Sequence, residues 1–204
     1  IYAALALGEI NLRTDSKTEE QIEVLREALS GKDKDLRKDA AMLLSRLGES
    51  STGGTNEKTI EVLLDALRDN DPGIRKEAAE ALGNMKEASA VEMLIEMLEK
   101  DDEPLCKQAA ASALGEIGEE SAIGPLIEAL YDEDLFIDSF MFTQASNHAA
   151  EALKIMGGAV VFPLMQVWPE ATGGVEFFIL DVLHDTYLKV PAKEIRKDKR
   201  AVEG

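Results

Sequence analysis

Side chains that commonly act as nucleophiles, general bases or metal ligands are few in this sequence. Its 204 residues contain two histidines, His148 and His184, and one cysteine, Cys106. The histidines lack the H-E-x-x-H spacing of zinc enzymes, and a single cysteine cannot form a cluster of thiolate ligands. His148 and Glu151 would share one face of a helix. That spacing permits an acid–base or metal-binding pair, but it is equally typical of an incidental surface contact.

Cys106 offers a second route to chemistry, as the nucleophile of a cysteine–histidine pair with His148. However, Cys106 occupies the position of Ile74 in an alanine-rich phrase that the chain repeats, and this position is apolar. A buried structural thiol is therefore the favoured interpretation. The glycine pairs at 53–54, 157–158 and 173–174 lack the spacing of a phosphate-binding loop and are interpreted as helix ends or linkers. We predict no catalytic residue, no metal and no cofactor.

The charge balance narrows the classes of partner. Forty acidic residues against 22 basic ones give a formal net charge of −18 at pH 7, which repels nucleic-acid phosphates and anionic membranes. No apolar run approaches the roughly 18 residues that a membrane-spanning helix needs. A lone cysteine is compatible with a reducing compartment. We therefore predict a cytoplasmic protein that binds a protein or peptide, and neither nucleic acid nor a membrane.

The alanine-rich phrase recurs along the chain and indicates the elements that position these residues. It occurs as LRKDAAMLLSRLG (36–48), IRKEAAEALGNMK (74–86), CKQAAASALGEIG (106–118) and SNHAAEALKIMG (146–157), and the chain opens on AALALGEI (3–10). The corresponding alanines are 32 to 39 residues apart. An amphipathic helical pattern such as TIEVLLDAL (59–67) precedes each complete phrase. Such helical pairs bury their apolar faces only by stacking, which predicts an α-solenoid.

The repeated residues also carry a family resemblance. The second repeat follows the pattern D-x-D-P-x-[IV]-R-x-x-A-A-x-A-L-G, and P-L-I-E-A-L occurs in the first helix of the fourth. This pattern resembles the short HEAT repeats first associated with phycobilisome lyases, best over 57–131 and fairly over 1–158. The resemblance implies an all-α fold, a right-handed α-α superhelix of about five helical pairs. We divide the chain into a HEAT-like array that starts mid-repeat (1–158), a diverged C-terminal repeat or cap (159–190) and a basic tail (191–204).

A ladder of ion pairs between successive repeats is implied by the same resemblance. It is built from an acidic residue before each second helix and a basic residue in the first turn of that helix. The residues that match are Asp33 with Arg37, Asp71 with Arg75 and, less closely, Glu103 with Lys107. The fourth repeat breaks the pattern. We interpret these residues as structural.

In this family the second helices line the concave face of the solenoid, so the resemblance implies a binding surface there. Transferring the positions opposite the core from repeat to repeat predicts a partner-binding set, the concave stripe. It comprises Lys38, Met42, Lys76, Glu77, Glu80, Gln108, Ser112, Asn147, His148 and Glu151. The same transfer also reaches Asp39, Arg46, Asn84, Ala109 and Glu116. A peptide or partner helix lying across several repeats would use such a surface.

An insertion in the fourth repeat adds a second candidate site. Ala149 follows Asp134 by 15 residues, whereas Ala78 follows Asp71 by 7. The large apolar side chains of the insertion are Phe136, Ile137, Phe140, Met141 and Phe142. They predict either a partner-binding segment or an extended helix whose phenylalanines pack on the next unit.

Two further segments receive structural interpretations. The Ser/Thr/Gly-rich residues 48–56 predict a flexible linker between repeats. The C-terminal unit, 159–188, loses the repeat pattern, and its Trp168, Phe177 and Phe178 are interpreted as packing within a terminal cap.

These observations predict a non-catalytic scaffold or adaptor that binds a partner peptide or helix on the concave stripe, assisted by the insertion. One alternative is a bilin-lyase-like or maturation factor that binds a small hydrophobic ligand near the insertion. Another is a purely structural module of a larger protein. The half-repeat at the start of the sequence further predicts self-association through an open N-terminal face.

Overall fold

The computed structural model describes residues 18–50, 55–132, 147–171 and 175–189. Its α-helices are α1 (Thr18–Leu29), α2 (Lys34–Ser50), α3 (Thr55–Ala66), α4 (Pro72–Asn84), α5 (Val91–Lys100), α6 (Pro104–Ile117), α7 (Ile123–Ala129), α8 (His148–Met156), α9 (Val161–Val167) and α10 (Val175–Lys189). Short 3-10 turns lead into α5, α7 and α9. The regular secondary structure of these ranges is helical, which confirms the all-α prediction.

The odd- and even-numbered helices form two layers. Each even-numbered helix packs against the next, so that α2, α4, α6, α8 and α10 follow one another side by side. Each also packs on the odd-numbered helix that precedes it in the chain. This is the arrangement of a helical-repeat solenoid, in which every unit contacts its neighbours in sequence.

Leucine and alanine side chains at matching positions form the core between the layers. The leucines Leu44, Leu82, Leu114 and Leu153 occupy corresponding places in α2, α4, α6 and α8, and each is 0% exposed. The alanine four residues before each leucine is equally buried. Burial of each leucine stabilises the fold, since truncating such a side chain to alanine costs about 2–5 kcal/mol.

Capping side chains fix where the even-numbered helices begin and end. Asp71 precedes α4, where its Oδ1 accepts a hydrogen bond of 2.8 Å from the backbone N–H of Gly73, and Pro72 occupies the first helical turn. Asn147 caps α8 in the same way, accepting from the N–H of Ala149 at 2.8 Å. Gly118 ends α6 in the left-handed conformation, with φ of +77°.

Glycines let neighbouring even-numbered helices touch through their backbones. A Cβ atom on Gly83 would lie 2.7 Å from the Cα of Ala113, and one on Gly115 would lie 2.6 Å from the Cα of Ala152. The odd-numbered helices carry leucine, isoleucine and methionine at their contacts and touch one another more sparsely. We therefore expect the even-numbered layer to form the inner side of the array, where the concave stripe is predicted.

The predicted linker at 48–56 is wrong at both ends. Helix α2 continues to Ser50 and α3 begins at Thr55, so only 51–54 lie outside the described residues. Gly48 suggested a helix end, but a single glycine inside a helix costs only about 1 kcal/mol and packing overrides it. The N-terminal half-repeat, the insertion and the basic tail lie outside the described residues.

One helical run is more apolar than the sequence analysis expected. Residues His148–Glu170, a run of 23, are long and apolar enough to cross a membrane by length and composition alone. Gly157, with φ of +69°, ends α8 within this run. Helix α8 also packs against α6, α7 and α10, while 28% of the apolar window is buried inside the array. The search for an unbroken apolar run missed these residues because Glu151 and Lys154 interrupt them.

Candidate partner-binding surface

The concave stripe lies on the open side of the even-numbered helices. Its ends are the most exposed parts: Lys38 and Met42 are exposed on α2, Met42 by 45%, and Glu151 is exposed on α8. Its middle is half-buried, comprising Lys76, Glu77, Glu80, Gln108, Ser112 and His148. Nine of the ten predicted residues therefore present at least part of their side chain to solvent.

Asn147 is the exception and must be removed from the predicted set. Its side chain is 0% exposed, and its Oδ1 accepts from the N–H of Ala149 as the cap of α8. The repeat alignment assigned Asn147 to the position of Lys76 and Gln108. Because of the insertion, however, Asn147 directly precedes the first residue of α8. A capping residue faces the backbone of its own helix and is unavailable to a partner.

The polar side chains of the stripe pair with one another along and between helices. Lys76 Nζ lies 2.6 Å from Glu80 Oε1 within α4, and Lys154 Nζ lies 3.0 Å from Glu151 Oε1 within α8. Such pairs at helical spacing contribute only about 0.3–0.5 kcal/mol each. They can exchange for contacts with a partner at little cost.

Ser112 and His148 form the one contact on the stripe that resembles an activated nucleophile. Ser112 Oγ of α6 and His148 Nδ1 of α8 are 3.2 Å apart. Burial lowers the pKa of His148, and the charge of Glu151 opposes this only in part. A neutral imidazole could act as a base. Acyl transfer, however, also needs free backbone donors beside the serine, and Ser112 lies in the interior of α6, where N–H groups bond within the helix.

Cys106 is a buried thiol, as predicted. It is 0% exposed, and its Sγ donates a hydrogen bond to the carbonyl oxygen of Pro72 at 3.2 Å. Burial raises the pKa of Cys106 to about 11, so the thiolate is scarce at neutral pH. Among the described residues, no group of three or more His, Cys, Asp or Glu side chains is placed to hold a metal ion.

The ion-pair ladder exists, but its acidic partners differ from those implied by the resemblance. The three basic residues of the predicted ladder reach the turn of the next repeat: Arg37 reaches Asp69, Arg75 reaches Asp101 and Lys107 reaches Asp132. The predicted Asp71 instead caps α4 and accepts from Lys34 Nζ at 3.0 Å. The ladder carboxylate thus lies two residues before the capping position.

Arg75 forms the strongest rung of the ladder. Its Nε and Nη2 donate to the two carboxylate oxygens of Asp101 at 2.7 and 2.8 Å, and its Nη1 donates to the carbonyl of Asp69 at 2.8 Å. Burial alone would raise the pKa of Asp101, but hydrogen bonds from Arg75 and from the N–H of Glu103 outweigh it and lower that pKa. This bidentate pair locks the second repeat to the third.

Equivalent contacts extend the register of the stripe into the C-terminal unit. Gly83 meets Ala113, Gly115 meets Ala152, and Lys154 forms an ion pair with Asp181. Gly83, Gly115 and Lys154 occupy the same position of the repeat in α4, α6 and α8. Their contact partners Ala113 and Ala152 also share one repeat position, in α6 and α8. Asp181 therefore corresponds to Ala152, which places Phe177 and Leu180 of α10 at the stripe positions of His148 and Glu151.

These C-terminal side chains were missed by the sequence analysis. Phe178 is 5% exposed and packs inward as predicted, but Phe177 is 59% exposed and Trp168 is 42% exposed. The interpretation of all three as cap packing is wrong for Phe177 and Trp168. Helix α10 is apolar on two sides, and only one side faces α8. No sequence signal separates Phe177 from Phe178, because the alanine-rich phrase that aligns the other repeats is lost in α10.

The insertion residues predicted to bind a partner, Phe136, Phe140, Met141 and Phe142, lie outside the described residues. Whether they form a loop or an extended helix stays a prediction. The same holds for self-association through the N-terminal half-repeat.

Sequence comparison now identifies the repeats. The family model of HEAT repeats matches residues 60–138. The chain is similar to HEAT repeats over this range. The match covers the second and third repeats and continues into the fourth, and it includes the capped helix α4 and the Arg75 rung. No curated protein matches the sequence.

Solved structures extend the similarity beyond the matched HEAT repeats. The complex of CpcE and CpcF of phycocyanin lyase from Nostoc sp. PCC7120 is similar with a TM-score of 0.58 at 24% identity, over 81% of this chain and 64% of that chain. An engineered protein is similar with a TM-score of 0.53 at 23% identity, over 90% of this chain and 88% of that chain. The chain thus spans less than two thirds of the lyase chain. Identities this low show the fold alone.

Proposed function

We propose that this protein is a non-catalytic scaffold that binds a partner peptide or helix on the concave stripe. The observation that carries the proposal is the contrast between the two sets of polar side chains. Arg75, Asp101 and Cys106 are engaged in joining the repeats, whereas the stripe side chains other than Asn147 are at least partly exposed, and Lys76–Glu80 and Ser112–His148 pair within the stripe.

The stripe has the dimensions and composition that an extended partner requires. It crosses α2, α4, α6 and α8, so a segment lying across it would contact several repeats at once. Weak internal pairs such as Lys76–Glu80 are replaced at little cost, and small side chains such as Ser112 leave room for those of a partner. Helix-in-groove binding uses this combination of a preformed surface and adaptable polar edges.

The bilin-lyase-like alternative and the structural-module alternative stay predictions. The likeness to the phycocyanin lyase complex supports a fold that can carry a partner subunit, and it adds no residue of this chain to a pigment site. The described residues offer the stripe, which favours a macromolecular partner over a small ligand. The predicted cytoplasmic location belongs to the same proposal.

A random peptide library displayed on phage can test the proposal without an identified partner. Peptides recovered on the wild-type protein are synthesised, and their Kd is measured by fluorescence anisotropy against two double variants. Glu80→Lys/Glu116→Lys changes the stripe. Glu92→Lys/Glu99→Lys makes the same change of charge on exposed positions of α5, in the other layer.

We expect the stripe variant to weaken binding by about tenfold or more, which corresponds to about 1.4 kcal/mol. The α5 variant should leave Kd within about twofold, because the altered charges are remote from the partner. Circular dichroism and thermal melting establish that both variants remain folded. Recovery of no peptide, or equal weakening by the two variants, would contradict the proposal.

A further inference from the structure

The concave stripe changes character towards the C-terminal end of the array. In α4 and α6 the positions that correspond to Phe177 and Leu180 carry Glu77 and Glu80, then Ala109 and Ser112. In α10 the same positions carry side chains that are large, apolar and exposed: Phe177 by 59% and Leu180 by 46%. Exposed apolar side chains that cluster on one surface mark interaction sites, whereas isolated ones need no explanation.

Ile155 is a third exposed apolar side chain, on the neighbouring helix α8. It is 54% exposed. Lys154 and Asp181 are in contact. Ile155 follows Lys154 in α8 and Leu180 precedes Asp181 in α10, so the two apolar residues flank this contact in sequence. We call Ile155, Phe177 and Leu180 the C-terminal apolar patch.

The patch is held in place by the residues beneath it. Phe178 is buried, and its ring lies edge-on to that of Phe177, with centroids 6.0 Å apart and planes at 71°. This arrangement restricts the Phe177 ring without covering it. Lys154 fastens α8 to α10 by pairing with Asp181 while it also pairs with Glu151. An aromatic side chain fixed before binding loses less entropy on binding, which is typical of an interface anchor.

Negative charge borders the patch. Glu176 directly precedes Phe177 in α10. Glu116 of α6 occupies the same repeat position as Ile155 of α8. Both carboxylates are exposed. The ion-paired group at this junction consists of Lys154, Glu151 and Asp181. One positive charge against two carboxylates leaves this group negative overall. His184, one turn beyond Leu180, is exposed. The border therefore favours lysine or arginine on a partner.

We propose that the C-terminal apolar patch is the anchor site of the concave stripe, and that its occupant is an amphipathic helix with a basic border. Aliphatic or aromatic side chains of that helix contact Phe177, Leu180 and Ile155, and its lysine or arginine side chains lie beside Glu116 and Glu176. This inference rests on the proposed function, since it names the chemistry of the partner of that surface. It also fixes the polarity of binding, with the apolar anchor at α8 and α10.

The peptide library distinguishes this inference from the proposed function. Peptides recovered on the wild-type protein are tested against Phe177→Ser/Leu180→Ser and against Val24→Ser/Phe162→Ser. Each double variant removes one aliphatic and one aromatic side chain, and the control pair is exposed to a similar degree, 42% and 40%. The control side chains lie on α1 and α9, in the odd-numbered layer. Ile155→Ser provides a second test of the patch on a different helix.

We expect the patch variant to weaken binding by about tenfold or more, and the control to change it by less than about twofold. Recovered sequences should carry apolar residues at helical spacing with lysine or arginine beside them, and their affinity should fall with added salt. Peptides that depend on Glu80 and Glu116 but bind the patch variants normally would overturn the anchor site and leave the proposed function standing.

Other occupants give different results. Acidic borders in the recovered peptides would overturn the basic partner. Self-association of the wild-type protein that is lost in Phe177→Ser/Leu180→Ser, with no peptide bound at the patch, would assign the patch to a second copy of the chain and overturn the proposed helix. If no peptide binds anywhere, the proposed function fails and this inference fails with it.

Discussion

The junction between α6 and α8 and the junction between α8 and α10 use the same two positions in opposite ways. At the first, Gly115 faces Ala152 so closely that their backbones touch. At the second, Lys154 faces Asp181 across an ion pair. Small residues permit dense packing of α6 on α8, whereas a lysine and an aspartate join α8 and α10 through an ion pair. The same two repeat positions thus meet at both junctions, with different residues.

The solvent side of the two junctions differs as well. Around Ser112 and His148 the surface is small, polar and internally hydrogen-bonded. Around Phe177 and Leu180 it is large, apolar and exposed. In the repeats that follow the pattern, stripe side chains such as Ser112 and His148 hydrogen-bond to each other. In the divergent C-terminal unit, large apolar side chains remain exposed. Under the proposed function, the specificity of the surface lies in the divergent C-terminal unit and its rigidity in the central repeats.

Removal of the Arg75 side chain should have the largest effect on stability, because it breaks the ion pair that joins the second and third repeats. Arg75→Ala leaves the carboxylate of Asp101, a side chain only 7% exposed, without its bidentate partner. We expect a loss of about 3 kcal/mol in the free energy of unfolding, measured by urea denaturation. The matched Arg37→Ala should lose less than about 1 kcal/mol, because the Arg37 Nε lies 3.7 Å from Asp69. Equal losses would show that the rungs are interchangeable.

The ladder also shows how far the sequence could predict the structure. The alanine phrase predicted α2, α4, α6 and α8 and their buried leucines, because small residues at helical spacing allow few alternatives. The basic ends of the rungs were also recognisable. The acidic ends were not, because the turn offers both Asp69 and Asp71, and only the backbone geometry decides which one caps the helix and which one reaches the arginine.

The candidate site was predictable only where the repeats keep their pattern. Stripe positions in α2, α4 and α6 followed from the repeated phrase, and their side chains are exposed or half-buried, except for the small Ala109, which is 5% exposed. In α10 the phrase is lost, and nothing in the sequence reveals that Asp181 matches Ala152 until the contact with Lys154 is seen. Without that register, Phe177 and Phe178 look alike, although one is exposed and the other is buried.

Replacement of the touching glycine tests whether close packing sets the spacing of the central repeats. Gly115→Ala gains up to about 1 kcal/mol of helix propensity but forces a Cβ into the backbone of Ala152, which typically costs about 1–3 kcal/mol. We expect a net loss of about 1–2 kcal/mol in thermal or urea unfolding. Gly124→Ala in α7 meets no atom within 4 Å, so the same change should be neutral or stabilising there. A stabilised Gly115→Ala would mean that the central helices separate freely.

The charged contact at the C-terminal junction should contribute less than the central rung. In a double-mutant cycle of Lys154→Ala and Asp181→Ala, we expect a coupling energy of about 0.5–1 kcal/mol. The value is modest because the Asp181 side chain is 43% exposed and because Lys154 keeps Glu151 when Asp181 is removed. Additive single and double variants would show that apolar packing alone, through Phe178 and its neighbours, holds α10 on α8.

The smallest expected effect is the change in folding stability with acid pH, which tests the contact of His148 with Ser112. Burial lowers the pKa of His148, with partial opposition from Glu151, so the unfolded chain takes up this proton at a higher pH than the folded one. Stability should therefore fall as the pH drops from about 6.5 to about 5. The loss should stay below about 1 kcal/mol because the side chain is only half-buried.

His148→Gln removes the titrating group but keeps a side chain that can bond to Ser112 at the junction of α6 and α8. Urea unfolding at a series of pH values should therefore give a flatter profile for this variant than for the wild-type protein between about pH 6.5 and pH 5. Parallel profiles for wild type and His148→Gln would show that the imidazole is hydrated in the folded protein. The α6–α8 junction would then be as open to solvent as the C-terminal apolar patch, which would remove this part of the contrast.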